Sequence, residues 1–216
     1  MAEKYLAVYE GAQAEIIEKK SRFIATVRKT ETEEEAVAFI QEMKKKYWDA
    51  RHNCSAFTIG RNHELTRCSD DGEPSSTAGR PMLDVLLKED IHNVTVVVTR
   101  YFGGVLLGTG GLVRAYQKTV QEGLKNARMI EICPGYRVEI ETDYNGIGKL
   151  QYIIGKEQLP IVDTVYAENV RMTVMIPAEE KDHFTAEVID GTNAAAKLSV
   201  GDLEEYGRVD GEVVFF

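Results

Sequence analysis

Apolar positions along residues 1–133 switch between a period of two and a period near 3.6, which predicts strands alternating with helices. Ala14 to Val27 reads as extended, interrupted by the polar run Glu18-Lys19-Lys20-Ser21-Arg22. From Thr32 to Tyr47, Val37, Ile40, Met43 and Tyr47 recur at helical spacing, and Thr32 with Glu35 forms a capping box. Cys54 to Ile59 and Glu64 to Cys68 predict short strands. A polar loop, Ser69 to Thr77, leads into a helix over Ala78–Leu87 with Met82, Val85 and Leu86 inward. Val94 to Phe102 predicts a buried strand, and Thr109 to Arg128 a long helix with Leu112, Tyr116, Val120 and Leu124 on one face.

A turn is expected at Cys133-Pro134-Gly135, and the pattern after it is regular. Tyr136, Val138, Ile140 and Thr142 alternate with Arg137, Glu139 and Glu141, as in a half-buried strand. Ile147, Leu150 and Ile154 share a helix face. Ile161 to Tyr166 and Val170 to Ile176 read as strands joined at Ala167-Glu168-Asn169. Glu179 to Ile189 reads as a helix with Phe184 and Val188 inward, and Leu198 to Tyr206 and Glu212 to Phe216 as terminal strands. The order β-α-β-β-α-β is that of the split ferredoxin-like motif. The expectation is an α+β protein of two domains, residues 1–133 and 134–216.

Charge sharpens that division. Residues 1–133 carry 19 Lys+Arg against 19 Asp+Glu, whereas residues 134–216 carry 7 against 16, so the whole net charge of −9 lies in the second part. A net acidic chain is a poor non-specific nucleic-acid binder. A local basic patch in the first part remains open to RNA, and the acidic part suits a basic protein. No stretch approaches the roughly 20 apolar residues of a membrane span. Met1-Ala2-Glu3-Lys4-Tyr5 lacks the basic-then-apolar order of a signal peptide, so a cytoplasmic protein is expected. Three widely spaced cysteines, Cys54, Cys68 and Cys133, argue against a disulfide framework and a paired CxxC zinc site.

Four segments carry candidate chemistry. Gly103, Gly104, Gly108, Gly110 and Gly111 crowd the junction between the Val94–Phe102 strand and the helix after it, bracketed by Arg100 and Arg114. A strand, a glycine-rich turn and a helix start can hold an anion or phosphate. The run is neither a Walker A loop nor a GxGxxG fingerprint, and tight packing alone explains such glycines equally well. Arg114, Lys118, Gln121 and Lys125 form a polar-basic stripe that reads first as a solvated helix face. Asp70, Asp71 and Glu73 place three carboxylates in four positions, a set able to bind a hard cation, although Asp and Gly are ordinary turn residues and Thr77 suits a helix cap. Arg80 follows in the same segment. Arg51-His52-Asn53-Cys54 puts a thiol and an imidazole on one strand face, yet a strand cysteine is more often a packed small hydrophobe. His63, His92 and His183 are isolated, without HxxxH spacing. Lys19-Lys20-Ser21-Arg22-Phe23 reads as a protected strand edge ahead of a nucleic-acid contact.

Taken in order, RHNCSAF (51–57), SDDGEPSSTAGRPML (69–83) and VVVTRYFGGVLLGTGGLVRAYQ (96–117) resemble the Impact/YigZ family in its bacterial two-domain, YvyE-like type. KKSRF (19–23) fits as well, and the resemblance spans the whole chain. One departure is Ser76, where the family's loop often has glycine before threonine. The resemblance implies a first domain with a βαβ fold like that of a ribosomal small-subunit protein and of domain IV of elongation factor G, and a ferredoxin-like βαββαβ second domain. It also implies a link to translation. Eukaryotic relatives share only the first domain and bind a partner of a starvation-activated kinase.

Three readings follow. One is a non-enzymatic binding protein that contacts RNA, the ribosome or a translation-factor protein. Its site would comprise Arg51, His52, Asp70, Asp71, Glu73, Thr77, Arg80, Arg100 and Arg114 with the glycine turn. Tyr101 and Phe102 point to opposite strand faces, so at most one of them stacks on a base. The second is a magnesium-dependent enzyme acting on a phosphorylated small molecule or nucleotide, with Asp70, Asp71 or Glu73 on the metal. The third is a protein-interaction module whose loops serve only the fold. No residue compels a reaction, and no cofactor or resident metal is assigned.

Overall fold

The computed structural model describes residues 4–216; Met1-Ala2-Glu3, read above for a leader, lie outside them. The chain divides between Ile130 and Glu131 into two units, residues 5–130 and residues 131–216 with Lys4.

In the first unit, β1 (Tyr5–Glu10), β2 (Gln13–Glu18) and β3 (Ser21–Lys29) precede α1 (Glu33–Lys46). Then come β4 (His52–Ile59), β5 (Leu65–Ser69), α2 (Gly79–Lys88), β6 (Ile91–His92), β7 (Val94–Tyr101) and α3 (Thr109–Asn126). Five strands form an antiparallel sheet in the order β2-β3-β7-β4-β5, and β6 pairs in parallel with β1. The polar run expected to interrupt the first extended stretch is a tight hairpin, in which Lys19 and Lys20 both take positive φ, 45° and 67°. That is the backbone of a two-residue hairpin turn.

β7 is the central strand, and its near-continuous valines are buried on both faces. Val94, Val96 and Val98 meet the face covered by α2 and α3, with Met82, Leu86, Tyr116 and Val120. Val97 meets the opposite face, under Phe39 and Met43 of α1. Helix α1 is capped as expected: Thr32 Oγ1 accepts from Glu35 N, while the Glu35 carboxylate reaches back to Glu31 N. Its inward face is Ala36, Phe39 and Met43, so Val37, expected inward, is exposed. The aromatic ring of Phe39 wins the buried phase.

β8 (Arg128–Thr142) crosses the division, and the second unit continues with α4 (Ile147–Lys156), β9 (Ile161–Tyr166), β10 (Val170–Pro177), α5 (Lys181–Gly191), β11 (Lys197–Val209) and β12 (Glu212–Phe215). Its strands pair antiparallel in the order β9-β10-β8-β11-β12. Val138, Ile140, Met172 and Val174 from the sheet pack with Leu150, Ile154, Phe184 and Val188 from the two helices. The turn expected at Pro134-Gly135 is absent; both residues lie inside β8. A Cβ on Gly135 would stand 2.5 Å from Tyr206 Cε1 and 2.6 Å from Ile176 O. This glycine therefore serves close strand packing and not chain reversal.

Gly103 is similarly constrained, since a Cβ there would lie 2.0 Å from the carbonyl of Lys20. Gly103→Ala should push the β2–β3 turn away from β7 and cost about 1–3 kcal/mol, measured by urea unfolding. Wild-type stability in that variant would show that the turn gives way freely.

A cleft built on a buried arginine

Sheet register places KKSRF, VVVTRYF and RHNCSAF side by side. Phe23 and His52 flank Arg100 on β3 and β4. Strand alternation turns Arg100 to the α2/α3 side, with Val98 and Val96. The side chain is 6% exposed. Its Nη1 donates to Glu73 Oε1 at 2.6 Å and its Nη2 to Ser21 Oγ at 3.4 Å; Phe23 and Phe102 face the guanidinium at 5.3 and 5.7 Å. Glu73 Oε1 also accepts from the Tyr116 hydroxyl at 2.8 Å. Ser21 Oγ accepts from Gly103 N at 3.2 Å, which ties the glycine turn to the same group.

The acidic loop turns inward. Asp70 Oδ1 accepts from Ala78 N and Gly79 N at 3.0 and 2.8 Å, and Oδ2 from Ser76 N at 2.8 Å. Asp70 thus holds the start of α2, while the Thr77 hydroxyl donates to Pro74 O instead of capping that helix. Asp71 accepts from Asn53 N at 2.7 Å and pairs with Lys44 at 2.5 Å. The three carboxylates face backbone amides, Lys44, Arg100 and Tyr116, so they are not gathered round a common cation. Ser76 takes φ 60°, the left-handed backbone that glycine adopts most easily. The loop keeps that geometry without the glycine, held by the Asp70 bond.

His52 Nδ1 donates to Asp71 O at 2.9 Å, leaving Nε2 4.0 Å from Glu73 Oε1. Cys54 lies on the same face, as its spacing requires, and its thiol contacts Asp70 O and the Tyr116 hydroxyl. Burial, joined by nearby Glu73, Asp71 and Asp70, pushes the thiol pKa well above its ordinary range. Burial, with Cys54 and Glu73, does the same to Tyr116. Neither is a nucleophile at neutral pH.

Above this network lies a cleft of about 440 Å³, lined by Arg51, His52, Gly72, Glu73, Pro74, Arg100, Phe102, Leu106, Leu107, Gly108, Thr109 and Leu112. Helix α3 opens onto it. Its N-cap is Gly108 at φ 75°, no side chain caps it, and no acid lies in its first turn. The first helical bond is Leu112 N to Gly108 O, so the amides before it precede the intrahelical ladder. Arg51 and Arg114 are exposed, and Arg114 Nη1 lies 3.5 Å from where a Cβ on Gly110 would stand. Gly104, at φ 83°, gives the loop its second left-handed position. Gly111 packs against Leu107.

Not every expected residue joins the cleft. Arg80 pairs with Asp84 at 2.7 Å. The Tyr101 hydroxyl donates to Asp49 on the α1 side, leaving Phe102 as the aromatic at the cleft. Lys118, Gln121 and Lys125 are exposed. Sequence reasoning missed Tyr116 as a polar partner, because its helical spacing marked it only as core. It also left Leu106, 82% exposed at the rim, as filler between glycines. His63 and His92, isolated in sequence, are brought together at a separate place in this unit.

Two family models match this chain: the Impact N-terminal domain over residues 19–124, and a domain of unknown function (DUF1949) over residues 140–195. IMPACT family member YvyE of Bacillus subtilis (strain 168) is 40% identical over 203 residues, covering 94% of each chain. The chain belongs to the IMPACT family. Within it, family member YigZ of Escherichia coli (strain K12) is 35% identical over 182 residues, 83% of this chain and 89% of its own length. A solved structure titled as a hypothetical protein has a TM-score of 0.60 at 32% identity, over 94% of this chain and 99% of that one. The Impact N-terminal match contains all three cleft motifs. No helix among the described residues is long and apolar enough to cross a membrane.

Two predictions test this network. Glu73→Gln leaves the Arg100 charge buried without its counterion and should cost about 3–5 kcal/mol, read by denaturant unfolding; a change below about 1 kcal/mol would mean that solvent reaches Arg100. In the second, a thiol reagent at pH 8 should modify exposed Cys68 readily and Cys54 only after unfolding, followed by peptide mass spectrometry. Fast labelling of Cys54 in the folded protein would contradict its burial.

Proposed function

We propose that this IMPACT-family chain is a non-enzymatic binding protein, linked to translation, that grips RNA phosphate on the ribosome through the cleft of its first unit. The observation that carries the reading is the convergence of the uncapped N-terminus of α3 with Arg51 and Arg114 beside Phe102 and Leu106. Helix N-terminal amides favour an anion, and arginine's planar fork suits bidentate phosphate contact. An exposed aromatic beside them offers a face on which a base stacks.

Arg100 serves from below. Its charge is matched by Glu73, so it shapes the cleft floor while Arg51 and Arg114 supply net positive charge. The magnesium-enzyme reading loses support because Asp70, Asp71 and Glu73 are turned to other partners. The strand order β9-β10-β8-β11 agrees with a ferredoxin-like second domain. Its acidic surface suits docking to a basic partner, and the whole reading is that of a cytoplasmic factor.

The test is co-sedimentation with ribosomes across a salt series, wild type beside Arg51→Ala/Arg114→Ala. Both side chains are exposed, so the fold should survive. Binding should weaken, and the slope of log affinity against log salt should fall by about two, one per lost phosphate contact. Equal binding and equal slope in the two proteins would defeat the proposal.

A further inference from the structure

A second cluster lies in the first unit where the β4–β5 turn meets the connection from α2 to β7. His63 and His92 stack with ring centroids 4.0 Å apart and planes 13° from parallel. Asp90 Oδ1 stands 3.0 Å from His63 Nε2 and 3.2 Å from His92 Nε2. The three donor atoms lie within 4.8 Å of one another. The surrounding backbone is specialised: His63, Asp90 and Asn93 all take left-handed φ, 52°, 51° and 52°. Asn93 Oδ1 accepts from Gly60 N at 2.8 Å and fixes the turn against the connection.

The proton inventory of His92 makes this arrangement informative. Its Nδ1 lies 3.2 Å from Gly60 O, a carbonyl that only accepts, so Nδ1 carries a proton. In a neutral ring Nε2 is then a bare lone pair, directed at another acceptor, Asp90 Oδ1. Two acceptors at that distance need a positive charge between them. A proton there would make His92 an imidazolium in a residue only 4% exposed. His63 presents Nε2 to the same oxygen and can donate to it as a neutral ring, since its Nδ1 is buried without a hydrogen-bond partner. One metal ion answers both nitrogens and the carboxylate together.

We infer that His63, Asp90 and His92 form a binding site for a divalent first-row transition metal of the zinc type. Two imidazoles and one carboxylate are a donor set for such an ion, and the exposed side of Asp90 leaves a coordination position open to water. The bond from His92 Nδ1 to Gly60 O is the outer contact that fixes the tautomer and orients a metal-binding ring. Loading draws the donors to about 2.0–2.2 Å from the ion, so the two rings must turn out of their parallel stack, because one ion cannot lie in both ring planes. The ion would clamp the β4–β5 turn to β6, in the connection from α2 to β7. A second group, Glu157, His183 and Glu187, differs in one respect. Lys156 Nζ already sits 3.1 Å from Glu157 Oε1 and 2.7 Å from Glu187 Oε1, in the place of a cation.

The experiment titrates tag-free protein with Zn²⁺ against a chromophoric chelator, and separately follows Co²⁺ absorption and the change of Tm with Zn²⁺. Wild type should take one equivalent, give a ligand-field spectrum with Co²⁺ and gain Tm. His63→Asn and Asp90→Asn change residues at left-handed positions where asparagine fits. Each should weaken zinc binding by at least about tenfold and lose the Tm gain. His183→Asn should match wild type. Absence of zinc binding by folded wild type, or equal affinity in His63→Asn and Asp90→Asn, would overturn the site and leave His92 as a buried imidazolium. Loss of zinc in His183→Asn alone would move the ion to the other cluster.

Discussion

The first unit is organised around one oxygen atom, Glu73 Oε1. A guanidinium as buried as Arg100 needs a counterion and donor-acceptor partners close by, and removing either side of such a pair costs far more than forming it returns. Glu73 meets that need and accepts from Tyr116 as well. In doing so it joins the acidic loop to β7 and to α3, while Ser21 joins the hairpin turn to both Arg100 and Gly103. Four segments distant in sequence thus converge because one charge cannot be left alone.

Local pattern made much of this fold legible. The valines of β7, the capping box of α1 and the apolar stripe of α3 each declare their element within a few residues. Which acid pairs with which base was not legible, because that depends on register between strands far apart in sequence. His52 faces Arg100 only through the β4–β7 ladder. The same limit explains His63 and His92, which the end of a hairpin brings into stacking contact. It also explains Asp70, Asp71 and Glu73: three acids in four positions suit a cation as well as a turn until the backbone amides, Lys44 and Arg100 that meet them are placed. Pro134-Gly135 misled for a related reason, since close approach of Tyr206 demands glycine as firmly as a turn does.

What distinguishes the cleft is the remainder after pairing. Residues 1–133 carry equal numbers of basic and acidic side chains, so no excess of positive charge marks them from composition. The acids nearest the cleft floor are engaged with Arg100, Lys44 and backbone amides. Arg51 on the cleft wall and the amides at the start of α3 are left as its positive groups, with Arg114 beside Gly110 in the first turns of that helix. A domain without net charge thereby keeps its loop acids engaged with partners while Arg51 and Arg114 stay exposed.

That origin determines how such a site recognises its target. At physiological salt, charges on the surface are screened beyond about 8 Å, so the potential inside the cleft is set by the groups next to it. Long-range attraction to a polyanion is correspondingly weak for a chain of net charge −9. On the proposed function, selectivity comes from fit: an anion small enough to reach the α3 amides, flanked by a surface that tolerates Phe102 and the exposed Leu106. A single phosphate in an irregular, partly unstacked strand meets both conditions, whereas the evenly charged backbone of a regular duplex offers the charge without the apolar contact.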